Sequence, residues 1–160
     1  MIVMGVDPGT AITGYGVVQE NRGDLQLITF GVVSTPANEP LPSRLQIIYA
    51  ELRQLAERFQ PSSAAVEKLF FSRNVRTAMS VGHARGVALL ALADAGIELA
   101  EYTPLEVKLA VAGYGGAQKR QIQQMVKALL HLDVPPQPDD AADALAMAIC
   151  HLQAIRWHSM

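Results

Sequence analysis

Five acidic residues stand where carboxylates can do chemistry. Asp7 ends the apolar run Ile2-Val3-Met4-Gly5-Val6 and precedes the turn signal Pro8-Gly9. Glu67 closes Ala64-Ala65-Val66, where a charge at the end of a central strand is costly unless it is paired or coordinates a cation. In Asp139-Asp140-Ala141-Ala142-Asp143-Ala144, Asp140 and Asp143 are three apart and share one face of a helix, and the small alanines let that helix lie close to a sheet. Asp139 and Asp140 also suit a helix N-terminus, where acids complement free N–H groups and the dipole. Carboxylates with no clustered Cys or His select hard cations such as magnesium or manganese. The single cysteine, Cys150, and the four histidines show no zinc-like spacing. Two hard cations held side by side activate a water and stabilise the leaving oxygen in phosphodiester hydrolysis, which requires several acids converging on one point.

The elements that must bring them together can be read from periodicity. Strands are predicted at 2–6, 15–19 and 25–34, joined by short turns into an antiparallel meander. A helix follows, with apolar Leu41, Leu45, Ile48, Leu52, Leu55 and Phe59 stepping by four and three. The pattern then alternates: strand 64–66, helix 75–93, strand 97–102, helices 104–112, 118–131 and 139–157. This order predicts one α/β domain over 1–160, with a mixed five-stranded sheet, its first three strands antiparallel, flanked by helices. If strands one and four are parallel neighbours, Asp7 and Glu67 emerge at the same sheet edge, at a topological switch point.

Half of the 160 residues are hydrophobic and 18% are charged, which excludes a disordered class. The apolar run 87–93 stops at Asp94, far short of the roughly 20 residues of a membrane span. A lone cysteine and no leader-like N-terminus predict a reducing cytoplasm and a buried, apolar role for Cys150. The formal charge of −2 argues at first against nucleic acid. Yet setting aside Asp7, Glu67, Asp140 and Asp143 leaves eleven acids against thirteen Lys and Arg. Between Lys68 and Lys127 eight basic residues, Arg73, Arg76, Lys108, Lys119 and Arg120 among them, face four acids. Lys119 and Arg120 open a helix, where N–H groups add to their attraction for phosphate. Phe70-Phe71 beside Lys68 and Arg73 resembles a stacking residue set among cations. Gly82 and Gly86, four apart on a helix, permit close packing against this chain's own sheet or against a second subunit.

Asp7-Pro8-Gly9-Thr10 with Thr13-Gly14-Tyr15-Gly16-Val17-Val18, Leu41-Pro42-Ser43-Arg44-Leu45, Ala65-Val66-Glu67 with Phe70, Ala84-Arg85-Gly86-Val87, Val107-Lys108 and Asp140-Ala141-Ala142-Asp143-Ala144-Leu145-Ala146 together resemble the RuvC family of Holliday junction resolvases, in order and over nearly the whole chain. The resemblance implies a ribonuclease H-like fold and a homodimer making magnesium-dependent symmetric nicks in four-way DNA junctions during recombination and repair, with two Mg2+ per subunit and Mn2+ as a substitute. It implies Asp7, Glu67, Asp140 and Asp143 as metal-binding catalytic acids, Phe70 at an unpaired base, Lys108 and Lys119 at phosphates near the scissile bond, and RuvA and RuvB as branch-migration partners. Two active sites related by a two-fold axis suit such a substrate, since one nick leaves the junction linked, and this favours Gly82 and Gly86 at a dimer interface. Asp139, directly before the family's motif, competes with Asp140 as a ligand. A strand followed by Asp-x-Gly-Thr also occurs in sugar-kinase and actin-like ATPases, but these need two such domains. The same residues would also suit an inactive relative that binds branched DNA without cutting it, or a nuclease acting on RNA hybrids.

Overall fold

A strand that is apolar on both faces belongs at the centre of a sheet, and β1 (Ile2–Asp7) is placed there in the computed structural model, which describes residues 1–68 and 75–158. β2 (Ile12–Asn21) pairs antiparallel with β1, and β3 (Asp24–Ser34) antiparallel with β2. On the other side β4 (Ser63–Glu67) pairs parallel with β1 and β5 (Glu98–Tyr102) parallel with β4, giving the order β3-β2-β1-β4-β5. The mixed sheet with an antiparallel first half is thus as predicted. The second strand is longer than the predicted 15–19, because Ile12, Thr13 and Gly14 pair with Ser34, Val33 and Val32. Gly14 carries little strand propensity and interrupts the pattern, so pairing with the neighbour sets the start.

Alternation divides β1 between two layers. Met4 and Val6 pack with α1 (Leu41–Phe59) and α2 (Val75–Asp94), whereas Val3 packs with α5 (Asp139–His158) and with the helices beside it, α3 (Pro104–Ala112) and α4 (Lys119–Leu129). The predicted stripe on α1 is real, with Ile48 and Leu52 fully buried. At about 1.5–3 kcal/mol for each such side chain, they account for a helix without a side-chain N-cap. Cys150 is buried on α5, and burial pushes its thiol up to about 12, so it serves as a small apolar residue. No described helix is long and apolar enough to cross a membrane.

One polar chain runs through the layer beneath α5. Tyr102 on β5 shares a 2.8 Å hydrogen bond with His151 Nδ1, and His151 Nε2 one of 2.9 Å with Ser63 Oγ at the start of β4. A neutral imidazole supplies one donor and one acceptor, so it satisfies both neighbours. Burial pushes the His151 pKa below its ordinary 6.5, with Glu98 working against this. A depressed histidine leaves the unfolded chain holding more protons, so its contribution is complete above pH 6.5 and is lost as pH falls through the folded value. In thermal melts, the advantage of the wild type over His151→Gln should therefore shrink from pH 7 to pH 5; a constant difference would contradict this.

Candidate active site

Two strand ends and one helix carry the acids of the site. Val6 and Val66 are partners in the parallel β1–β4 register. Asp7 and Glu67, one residue further on each strand, lie on the same face at the same edge, about one strand spacing of 4.8 Å apart. On the other side of Asp7 its β2 partner is Gly14. A Cβ at Gly14 would run into the carbonyl of Asp140, one at Gly5 into that of Ala144, and one at Gly16 into the Leu145 side chain. The glycines of β1 and β2 thus form a track on which the backbone of α5 rests directly, and the first turn of α5 comes to lie over Asp7. The alanines of α5 supply the matching flat surface, with Ala141, Ala142 and Ala144 all buried.

The turn after Asp7 is held by hydroxyls. Thr13 Oγ1 donates to the Gly9 carbonyl at 2.7 Å and accepts from its N–H at 3.3 Å. Thr10 Oγ1 donates to the Ser80 carbonyl at 2.7 Å, Thr35 Oγ1 donates to the Thr10 carbonyl at 2.5 Å, and Arg44 Nε donates to Thr35 Oγ1 at 2.8 Å. Arg85, which charge counting treats as one more cation, instead braces the end of β4: its Nε donates to the Glu67 carbonyl at 3.1 Å, and its guanidinium pairs with Glu101 on β5. No pattern in the sequence marks this role, because α2 and β5 meet only through the topology.

The acids share one electrostatic field. Asp7 is pushed from an ordinary 3.8 up to about 8, first by burial and then by Asp143, Asp140 and Glu67, and it lies within hydrogen-bonding reach of the Asp140 carboxyl. Burial and then Asp143 raise Glu67. Asp143 is raised by burial, against the pull of Lys119. A half-open cavity of about 260 Å³ is lined by Asp7, Glu67, Asp143, Lys108 and Lys119 on a floor that includes Val107, Ile122 and Met147. Lys108 is presented by α3, whose N-terminus is closed by a reciprocal Thr103–Glu106 capping box. Lys119 opens α4, where the Gln121 side chain accepts from the Gln118 N–H at 2.7 Å.

The donor set fits a hard cation by its chemistry rather than as a closed cage. Among the described residues no group of three or more His, Cys, Asp or Glu is gathered tightly enough to hold a metal ion. Lys119 Nζ lies 3.4 Å from Asp143 Oδ2, so that carboxylate already has a cationic neighbour. Like-charged carboxylates half-buried together are costly until a cation neutralises them, and their oxygens are the ligands that magnesium and manganese take.

Several predicted residues fall elsewhere. Arg120 is exposed and outside the lining of the cavity. Arg76 lines a separate, more open depression with Thr10, Arg44 and Met79. Phe70 and Arg73 lie outside the described residues. Gly86 is exposed, with no atom within 4 Å of where a Cβ would stand, while Ala84, Ala88 and Ala91 pack inward. Gly86 therefore does not serve packing on this chain's own sheet. Asp139, which competes with Asp140 for a ligand role on sequence grounds, is exposed and engaged by α4.

Comparison with known proteins shows the family. The family model described as crossover junction endodeoxyribonuclease RuvC matches residues 3–151. The crossover junction endodeoxyribonuclease RuvC of Chloroflexus aurantiacus is 60% identical over 151 residues, covering 94% of this chain and 92% of the relative. That of Moorella thermoacetica is 54% identical over 157 residues, covering 98% and 94%. Among solved structures, T. thermophilus RuvC in complex with a Holliday junction substrate superposes with a TM-score of 0.94 at 38% identity, covering 99% of this chain and 96% of that one. The matched span contains all four carboxylates, the glycine track and both cavity lysines, and the chain belongs to the RuvC family of crossover junction endodeoxyribonucleases.

Proposed function

We propose that this chain is a metal-dependent endonuclease that resolves four-way DNA junctions by symmetric nicking as a homodimer, in recombination and repair in the cytoplasm. The observation that carries the reading is the convergence of Asp7, Glu67 and Asp143 in one cavity with Lys108 and Lys119, with Asp140 beside Asp7. Asp7, Glu67, Asp140 and Asp143 would hold magnesium, two ions in each subunit with manganese as a substitute. Bound there, the metal would supply an activated water and charge stabilisation at the leaving oxygen. The protein's own share is placement. The glycine track sets α5 against β1, Arg85 braces the strand that carries Glu67, and Lys108 and Lys119 offer ammonium groups to phosphates of the strand that enters. Arg73, Arg76 and Arg120 would meet the junction arms and Phe70 an unpaired base at the crossover, and the RuvA–RuvB branch-migration complex would deliver the substrate.

The homodimer is supported by the outer face of α2. Val75, Met79, Gly82, Gly86 and Leu90 follow one another at steps of four and three, and Val75, Met79 and Leu90 are more than half exposed. An apolar stripe with a glycine gap suits a second copy of the same helix across a two-fold axis. With magnesium, the protein is expected to nick a synthetic four-way junction at symmetric positions, leave linear duplex largely intact, and sediment at twice its chain mass at micromolar concentration. Equal cutting of linear duplex, or nicking undiminished by EDTA, would overturn the nuclease reading; a strictly monomeric species would overturn the dimer.

A further inference from the structure

Asp139 and Asp140 are neighbours in sequence, yet their side chains serve different elements. The carboxylates acting on Asp7 are Asp143, Asp140 and Glu67. Neither Asp139 nor Asp140 is in the lining of the cavity, but both oxygens of Asp139 are used by α4: Gln123 Nε2 donates to Oδ1 at 3.0 Å, and Lys119 Nζ lies 3.3 Å from Oδ2. Lys119 and Gln123 are one turn apart on α4, as Asp139 and Asp143 are on α5. The Lys119 ammonium sits between these two acids, 3.4 Å from Asp143 Oδ2.

Held by Asp143 alone, this lysine would lose its anchor whenever that carboxylate turned to another partner. A lysine side chain is long and rich in rotamers, so one exposed contact leaves it many orientations. Resting on the reading of the cavity as a nuclease site, we propose that Asp139 is a positioning residue, which with Gln123 holds the Lys119 ammonium at the cavity mouth, and that it is not a fifth metal ligand. Asp139 thereby leaves Asp143 free for a cation without releasing the lysine.

Three measurements on Asp139→Asn test this. Calorimetric titration with Mn2+ should give the wild-type affinity, whereas Asp140→Asn weakens it. Lys119 acylation by an amine-reactive reagent, followed by mass spectrometry, should accelerate severalfold while Lys108 is unchanged. Single-turnover nicking of a four-way junction should fall three- to fivefold, as suits one exposed ion pair, with no further fall when the substitution is added to Lys119→Ala. Weakened Mn2+ binding, unchanged Lys119 acylation, or effects that add in the double variant would each overturn the proposal. If acylation responds as expected but the wild type nicks no junction, the clamp stands and the nuclease reading falls.

Discussion

Asp7→Asn is expected to lower junction nicking by about a thousandfold or more, and in EDTA to make the protein more stable than the wild type. Asn keeps the shape of Asp and one oxygen acceptor but loses the charge that draws a cation. Losing about 4 kcal/mol of charge stabilisation in the transition state corresponds to three powers of ten in rate. The stability gain comes from the same crowding. Burial, together with Asp143, Asp140 and Glu67, raises the Asp7 carboxyl from 3.8 to about 8. A raised carboxyl keeps a proton in the folded state that the unfolded chain has already lost. Metal-free stability is therefore complete below pH 3.8 and declines as pH rises through about 8. At pH 7 the decline reaches up to about 4 kcal/mol, on the order of 10 °C in melting temperature for a chain of this length. Thermal melts in EDTA should show the variant and the wild type together near pH 4 and apart near pH 8. Magnesium should close the gap by stabilising the wild type alone. Retained nicking would remove Asp7 from the site, and equal melting temperatures in EDTA at pH 8 would show that the four acids do not share one field.

How much of this could be read without coordinates depends on the kind of signal. The α1 stripe was legible because burial on one face of a helix imposes a period, and Ile48 and Leu52 occupy the buried positions it predicts. The adjacency of Asp7 and Glu67 was legible on one condition, that strands one and four are parallel neighbours, and the β1–β4 register meets it. The division of labour between Asp139 and Asp140 was not legible. Consecutive helical residues point about 100° apart, and which of the two meets Asp7 and which meets α4 depends on where those elements pack. Arg85 was opaque for the same reason, since its partners, the Glu67 carbonyl and Glu101, lie on strands brought to α2 only by the fold. Gly5 was hidden in another way: within Ile2-Val3-Met4-Gly5-Val6 it reads as one more small apolar residue, and its purpose appears only when α5 crosses it.

Gly5→Ala is accordingly expected to destabilise the protein by about 3 kcal/mol, the upper end of ordinary overpacking, and to scatter the site along with the core. A methyl group there would meet the carbonyl oxygen of Ala144 and the N–H of Ala148, both backbone atoms of α5 that cannot swing aside as a side chain can. Relief requires the helix to move away from the sheet. Gly14, under the Asp140 carbonyl, and Gly16, under Leu145, hold the same helix close at the neighbouring strand, so it cannot lift at one point without losing contact at the others. Because α5 carries Asp140 and Asp143, the displacement also carries two acids away from Asp7 and Glu67. Gly116→Ala separates this effect from a general intolerance of added carbon, since a methyl group at Gly116 would come no nearer than 3.6 Å to the Tyr114 ring, an ordinary van der Waals contact. Urea unfolding should show Gly5→Ala well below the wild type, with Gly116→Ala equal to it or up to about 1 kcal/mol above it. Junction nicking by the folded fraction of Gly5→Ala should be depressed as well. If that variant keeps full activity per folded molecule, α5 has tilted about its first turn without withdrawing the acids, and the glycine track serves stability alone.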